Sequence, residues 1–303
     1  MSKIAWIGTG VMGTPMATHL AEAGHEMYLY NRTKAKAERA AENMPAGCKA
    51  KVFDSIKEAV KDVDYVFTMV GYPKDVEEVM LGSDAVFVSA KEGTVIIDMT
   101  TSSPKLAAKL YEEGKKRGLK LLDAPVSGGD KGAKEANLTI MVGGDEEVYK
   151  EVEPLFELLG TTITYMGKAG NGQHTKAANQ VSVAGTLLAA METLTYAVRA
   201  GLDPHKVLEV VNGGAAASWQ LENNGPKALA SDFEPGFYIK HFIKDMKIAD
   251  KEMEAKNTDL NVLSTVLDMF LEFTGSGHED EATQAIIKYY LSDEELEGLN
   301  SEE

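Results

Sequence analysis

The stretch at residues 4–16, IAWIGTGVMGTPM, decides the fold. Ile4, Ala5, Trp6 and Ile7 form an apolar run of the length of a short buried strand, and the run meets Gly8, Gly10 and Gly13 at the spacing G-x-G-x-x-G. A helix is predicted over 15–23, stopping at Gly24. Each glycine has a mechanical reason. The first permits the tight turn from strand to helix, the second lets a pyrophosphate approach where a Cβ would block it, and the third allows the helix to pack closely on the strand. The phosphates then rest on free N–H groups of the turn, which includes Val11 and Met12, at the helix N-terminus. A plain glycine-rich turn is the alternative. The position of the motif, after the first strand and ahead of a helix, favours the dinucleotide cradle.

Working outward, a second strand at 26–30 (EMYLY) ends at Asn31-Arg32-Thr33, about 20 residues past the glycines. An acid there would bind the ribose 2′-hydroxyl of NAD, whereas an arginine accommodates a 2′-phosphate. With Arg32 present and no acid, NADP is the expected cofactor and NAD a possible one; a merely solvated Arg32 is the alternative. The alternation continues with a helix over 34–43, a strand at 51–53, a helix at 55–60 and a buried strand at 65–70 (YVFTMV). Gly71-Tyr72-Pro73 breaks that strand, a helix follows over 75–81, and a further strand at 94–99 (TVIIDM) leads through Thr100-Thr101-Ser102-Ser103 to a helix from Pro104. Strands alternating with helices predict a parallel sheet covered on both faces, with ligands at the carboxyl ends of the strands, where Val70, Gly71 and Thr101 fall. After a strand at 120–123, Ser127-Gly128-Gly129 exposes consecutive N–H groups beside a hydroxyl, a cradle for a carboxylate, with a flexible turn as the alternative. Strands at 138–144 and 161–167 flank a helix over 146–159.

The pattern then changes. Residues 171–200 carry no strand signal and no proline, which predicts a helix of about 45 Å at 1.5 Å per residue. Helices follow at 204–211, 225–229, 242–256, 258–272 and 281–290. The fold class is therefore α/β: an N-terminal Rossmann doubly wound sheet over 1–167, then an all-α C-terminal domain over 168–303 joined by a long helix.

Composition bounds the partners. The chain has 303 residues, 44% hydrophobic and 26% charged, as expected of a globular protein with two cores. A formal charge of −16 argues against nucleic acid or an anionic membrane, which need clustered Lys and Arg, but leaves room for a small anion held by a few local groups. Uninterrupted apolar runs are strand-sized, and Met1-Ser2-Lys3 leads straight into the first strand, so neither a spanning segment nor a leader is expected. The single cysteine, Cys48, fits a reducing cytoplasm. Six histidines are scattered without paired spacing, so no metal site is predicted. Six of the 13 residues from Leu291 onward are acidic, which reads as a solvated, partly frayed tail.

Four segments together resemble the β-hydroxyacid dehydrogenases, a 6-phosphogluconate dehydrogenase-like group that includes 3-hydroxyisobutyrate dehydrogenase, tartronate semialdehyde reductase and glyoxylate/succinic semialdehyde reductases. They are Ile7 to Gly13, Asp123-Ala124-Pro125-Val126-Ser127-Gly128-Gly129, the run from Gly170 through Lys176 to Asn179-Gln180, and Lys244-Asp245-Met246. The resemblance implies Lys176 as catalytic acid/base, Ser127, Gly128 and Gly129 for the substrate carboxylate, and Asn179 for the substrate. It places Thr101 in the nicotinamide and substrate region and Lys244 on the substrate-side wall, and it implies a homodimer or homotetramer. Asn179-Gln180 and the segment 233–237 look like tartronate semialdehyde reductase, whereas Ser218-Trp219 resembles 3-hydroxyisobutyrate dehydrogenase, with Trp219 either walling the pocket or belonging to the core.

The residue types suit that chemistry. Reduction of a semialdehyde needs a proton donor at the carbonyl oxygen, and the reverse reaction a neutral amine; a lysine serves both when burial or a nearby cation lowers its pKa. Lys176 and Asn179 lie three apart and share a helix face. His174 and His241 are read as structural. An imine reductase and a non-catalytic nucleotide-binding module are the competing functions, both disfavoured by the retained Lys176.

Overall fold

The computed structural model describes residues 1–299, in two compact units, Met1–Lys176 and the described residues from Ala177 onward. In the first unit β1 (Lys3–Ile7), α1 (Gly13–Glu22), β2 (Glu26–Tyr30), α2 (Lys34–Glu42), β3 (Lys49–Val52), α3 (Ile56–Val60) and β4 (Tyr65–Thr68) alternate. The alternation goes on through α4 (Pro73–Leu81), α5 (Val86–Ser89), β5 (Val95–Asp98), α6 (Pro104–Lys115) and β6 (Lys120–Asp123). These strands lie in the order β3-β2-β1-β4-β5-β6 with every neighbouring pair parallel, the doubly wound arrangement whose carboxyl ends form a ligand crevice.

Both faces of the sheet are apolar because both are covered. Alternate residues point to opposite sides: Ile4, Trp6, Leu29, Phe67 and Ile97 pack into one core, while Ala5, Ile7, Val66 and Ile96 pack into the other. Trp6 stacks on Phe67 with ring centroids 5.4 Å apart, and its indole N–H donates to Gly8 O at 3.0 Å, tying the glycine turn to the core beneath it.

Beyond β6 the expectation of an all-parallel sheet fails. β7 (Val126–Ser127), α7 (Gly129–Lys134), β8 (Leu138–Gly144), α8 (Glu146–Phe156) and β9 (Gly160–Tyr165) follow. β8 runs antiparallel to both β6 and β7, and parallel to β9. Only the short α7 and its flanking turns link β7 to β8, and so brief a connection returns the chain as an antiparallel neighbour, without the crossover that a parallel one requires.

The helical part comprises α9 (Asn171–Arg199), α10 (Pro204–Asn212), α11 (Trp219–Leu229), α12 (Ile239–Glu254), α13 (Asn261–Thr274), a 3-10 helix (Thr283–Tyr289) and α14 (Asp293–Gly298). Leu187, Met191 and Leu194 of α9 join Phe242, Met246 and Phe270 in its core. By length and composition alone α9 is apolar enough to cross a membrane, with a mean hydropathy of 1.4 over its best 18-residue window. The sequence shows no long apolar run there because Gln, Asn and Thr punctuate the helix.

The first compact unit includes the opening turn of α9, which is bonded to the carboxyl ends of β5 and β6. Two further expectations change. The helix expected over 281–290 is a 3-10 helix whose Ala285, Ile286 and Ile287 are all buried, so no polar face marks an α-helical period. The acidic tail is folded through residue 298: Ser292 and Glu295 form a capping box, and Leu296 is buried in the helical core. The remainder of that tail, 300–303, lies outside the described residues.

Candidate functional site

At the carboxyl end of β1 each glycine has its own constraint. Gly8 sits at φ 104°, and a Cβ there would meet Met69 O at 2.2 Å; one on Gly13 would stand 2.0 Å from Gly8 O. Gly10 differs, since apart from its own chain neighbours nothing lies within 4 Å of its Cβ position. That open space beside a turn of free N–H groups fits a pyrophosphate. Thr9 adds a second sign of an absent polar partner: its Oγ1 is buried and makes no hydrogen bond. The neighbouring residues are held in place, for Thr9 N–H donates to Asn31 Oδ1 at 3.1 Å and Asn31 Nδ2 donates to Thr33 O at 3.0 Å. Val11 is exposed and Met12 half-buried.

Arg32 extends its guanidinium into solvent, 84% exposed, 3.4 Å from Asp75 Oδ1. The other Asp75 oxygen accepts from Tyr72 N–H at 3.0 Å, so Asp75 closes the first turn of α4 and faces Arg32 together.

At the ends of β4 and β5, Val70 N–H donates to Thr100 Oγ1 at 3.0 Å, joining the loop that carries Val70 and Gly71 to the segment that carries Thr101. Ser127 is half-buried at the end of β7; Gly128 (φ 133°) and Gly129 (φ 62°) turn the chain into α7.

The first turn of α9 is anchored in this same region. Asp123, at the end of β6, accepts from Gly170 N–H at 2.7 Å and from Gln173 N–H at 2.9 Å. The Gln173 carboxamide donates to Thr100 O at 2.7 Å and accepts from Ser102 N–H at 2.8 Å. Burial pushes the Asp123 carboxyl up to about 6, against the lowering effect of its N–H donors, with Asp98 adding a smaller upward push. Lys176, one turn beyond Gln173, is 6% exposed, unlike a solvated helix lysine.

In the second unit the side chains of Asn179, Gln180, Asp245 and Lys244 form a chain. Asn179 Nδ2 donates to Gln180 Oε1 at 2.8 Å, Gln180 Nε2 donates to Asp245 Oδ2 at 2.7 Å, and Lys244 Nζ lies 2.8 Å from Asp245 Oδ1. Asp245 is buried and Lys244 nearly so, which makes this an ion pair of low exposure. Trp219, the first residue of α11, is 54% exposed and is not a core residue.

The sequence reading assigned no part to Gln173, Asp123, Gln180 or Asp245, although each lies within one of the four resembling segments. The available signal was their type: amides and carboxylates beside glycines and apolar runs are buried only when bonded.

Residues 3–167 match the sequence model of the NAD binding domain of 6-phosphogluconate dehydrogenase, and residues 170–290 match that of the NAD-binding domain of NADP-dependent 3-hydroxyisobutyrate dehydrogenase. The chain is 42% identical to a probable 3-hydroxyisobutyrate dehydrogenase-like protein of Arabidopsis thaliana, over 94% of this chain and 84% of the relative. It is 37% identical to 2-hydroxy-3-oxopropionate reductase of Escherichia coli, over 94% of this chain and 96% of the relative. Among solved structures, 3-hydroxyisobutyrate dehydrogenase of Mycobacterium tuberculosis with L-serine superposes with a TM-score of 0.85 at 31% identity, over 95% of this chain and 99% of that one.

Proposed function

Because the chain belongs to the β-hydroxyacid dehydrogenase family of NAD(P)-dependent oxidoreductases, we propose that it interconverts a small β-hydroxyacid and its semialdehyde, with NADP preferred over NAD and Lys176 as the acid/base. The observation that carries the reading is the burial of Lys176 on a helical turn bonded to the carboxyl ends of the sheet, the side on which doubly wound folds bind their ligands.

Gly8, Gly10, Val11, Met12 and Gly13 hold the diphosphate in this reading, with Asn31, Arg32 and Thr33 at the adenosine end and Val70, Gly71, Thr101 and Lys244 towards the nicotinamide. When bound, the nicotinamide supplies or takes a hydride at the substrate carbon. In reduction, Lys176 Nζ gives a proton to the carbonyl oxygen; in oxidation the neutral amine takes it from the hydroxyl. Ser127 and the N–H groups of Gly128 and Gly129 hold the substrate carboxylate, Asn179 and Lys244 contact the substrate, and the exposed Trp219 walls the pocket. The boundary between domains at 167, assembly as a homodimer or homotetramer, and a cytoplasmic location belong to the same proposal.

The test is a panel of tartronate semialdehyde, succinic semialdehyde and 3-hydroxyisobutyrate, each assayed with both cofactors. Turnover of tartronate semialdehyde with NADPH, or of 3-hydroxyisobutyrate with NADP in the oxidising direction, is expected. Turnover of succinic semialdehyde alone, whose product is a γ-hydroxyacid, or of none of the three by folded, cofactor-binding protein would overturn the substrate class.

A further inference from the structure

We propose that Gln173 is a positioning residue that fixes Thr101 and Lys176 relative to one another. The inference rests on Lys176 being the proton carrier. It starts from two hydrogen bonds that straddle a single residue: the Gln173 amide donates to the carbonyl of Thr100 and accepts from the N–H of Ser102. A neighbouring β-strand would pair with the chain in the same way, through the carbonyl before a residue and the N–H after it. One side chain thereby fixes the backbone torsions on both sides of Thr101, just beyond the end of β5, where regular pairing has stopped.

The other end of Gln173 is equally constrained. Its backbone N–H is held by Asp123 Oδ2, while Asp123 Oδ1 holds Gly170. This grip depends on close approach: a Cβ on Gly172 would stand 2.5 Å from Asp123 O and 2.4 Å from Met141 O. Gln173 is 1% exposed and Lys176 follows three residues later, on the same face of α9. The face that grips the Thr101 segment is thus the face that presents the lysine. A glutamine suits the position because one amide supplies both a donor and an acceptor. An ionised glutamate offers only acceptors to the Thr100 carbonyl, and methionine, of similar length, offers neither bond.

The experiment uses Gln173→Met and Gln173→Glu, each also in a Lys176→Ala background, with NADPH and whichever aldehyde of the panel is reduced fastest. In Gln173→Met, kcat should fall about 10²-fold, the scale expected of a small displacement of the acid, while NADPH affinity changes less than about threefold. The loss should vanish in the Lys176→Ala background, because a residue acting through the lysine has nothing left to position. In Gln173→Glu, kcat relative to wild type should rise as pH falls, since a protonated carboxyl restores the donor and acceptor pair. Losses that multiply across the double variant, or a Gln173→Glu profile parallel to wild type, would overturn the proposal. Gln173→Glu retains the side-chain shape and answers the question if Gln173→Met does not fold. Near-normal turnover of Lys176→Ala by itself would instead remove the lysine reading on which the inference stands.

Discussion

The Arg32 guanidinium and the Asp75 carboxylate face each other at 3.4 Å across the end of β2 and the start of α4. With 84% of its side chain exposed, Arg32 gains little from that pair and is available to a stronger anion. A 2′-phosphate is such an anion. Arg32→Ala should weaken NADPH binding roughly fivefold or more, on the scale of a charge-assisted hydrogen bond, and leave NADH within about twofold. Titration of both cofactors by fluorescence checks this, and equal effects on the two would refute the 2′-phosphate role.

Lys176→Ala should lower kcat by roughly 10²–10⁴-fold while NADPH still binds, if proton transfer is what the side chain supplies. Steady-state kinetics beside a binding titration separates the two effects. Joint loss of turnover and cofactor affinity would point to misfolding of the α9 turn.

The glycines of the turn should separate folding from binding. Gly13→Ala drives a Cβ into Gly8 O and within 2.9 Å of Trp6 Nε1, against backbone and a stacked core ring, so its melting temperature should fall by several degrees even without cofactor. Gly10→Ala meets nothing within 4 Å beyond its chain neighbours and should melt near wild type, yet bind NADPH at least tenfold more weakly because the methyl occupies the phosphate's place. A Gly10→Ala protein with unchanged affinity would move the diphosphate elsewhere.

Asp123 gives a pH dependence of stability with a definite sign. Burial raises its folded-state pKa from an ordinary 3.8 to about 6, so between those values the native protein holds the proton more tightly than the unfolded chain. Its contribution is full below the unfolded value and is lost as pH rises through about 6, in total on the order of 3 kcal/mol. Asp62, Glu113, Asp203 and Glu295 have lowered pKa values and act in the opposite sense, losing their contributions as pH falls. The signal is therefore the difference between wild type and Asp123→Asn. In denaturant titrations, wild type should gain on the variant as pH is lowered from 7 to 4. A wild type that loses ground over that range would mean that the N–H donors outweigh burial.

What the sequence made legible was local. The β1 turn, the twofold-covered strands and the length of α9 follow from sterics and periodicity within a few residues, and the four resembling segments pointed to Lys176 directly. Two kinds of feature were hidden. The reversal of β8 follows from the brevity of its link to β7, which the alternation of strands and helices does not reveal, and the 3-10 helix at Thr283–Tyr289 depends on tertiary burial, which erases the local period. Gln173 was hidden because its partners Thr100 and Ser102 lie 73 and 71 residues earlier, and nothing near the glutamine marks them. The pairing of Gln180 with Asp245 spans 65 residues and was hidden for the same reason.

The capped α14 bears on the order in which the protein is built. Arg199, the last residue of α9, bonds to Glu295 across 96 residues and to Tyr290 O at 3.0 Å, and Tyr290 Oη donates to Glu192 at 2.7 Å. The bonds that close the sheet unit, from Gly170 and Gln173 to Asp123, use residues that leave the ribosome more than a hundred positions earlier. Vectorial synthesis therefore lets the nucleotide-binding half finish first and keeps the helical half waiting for its final segment. A ribosome-bound chain halted shortly before Ser292 should carry a protease-resistant sheet unit and a still-digestible helical one.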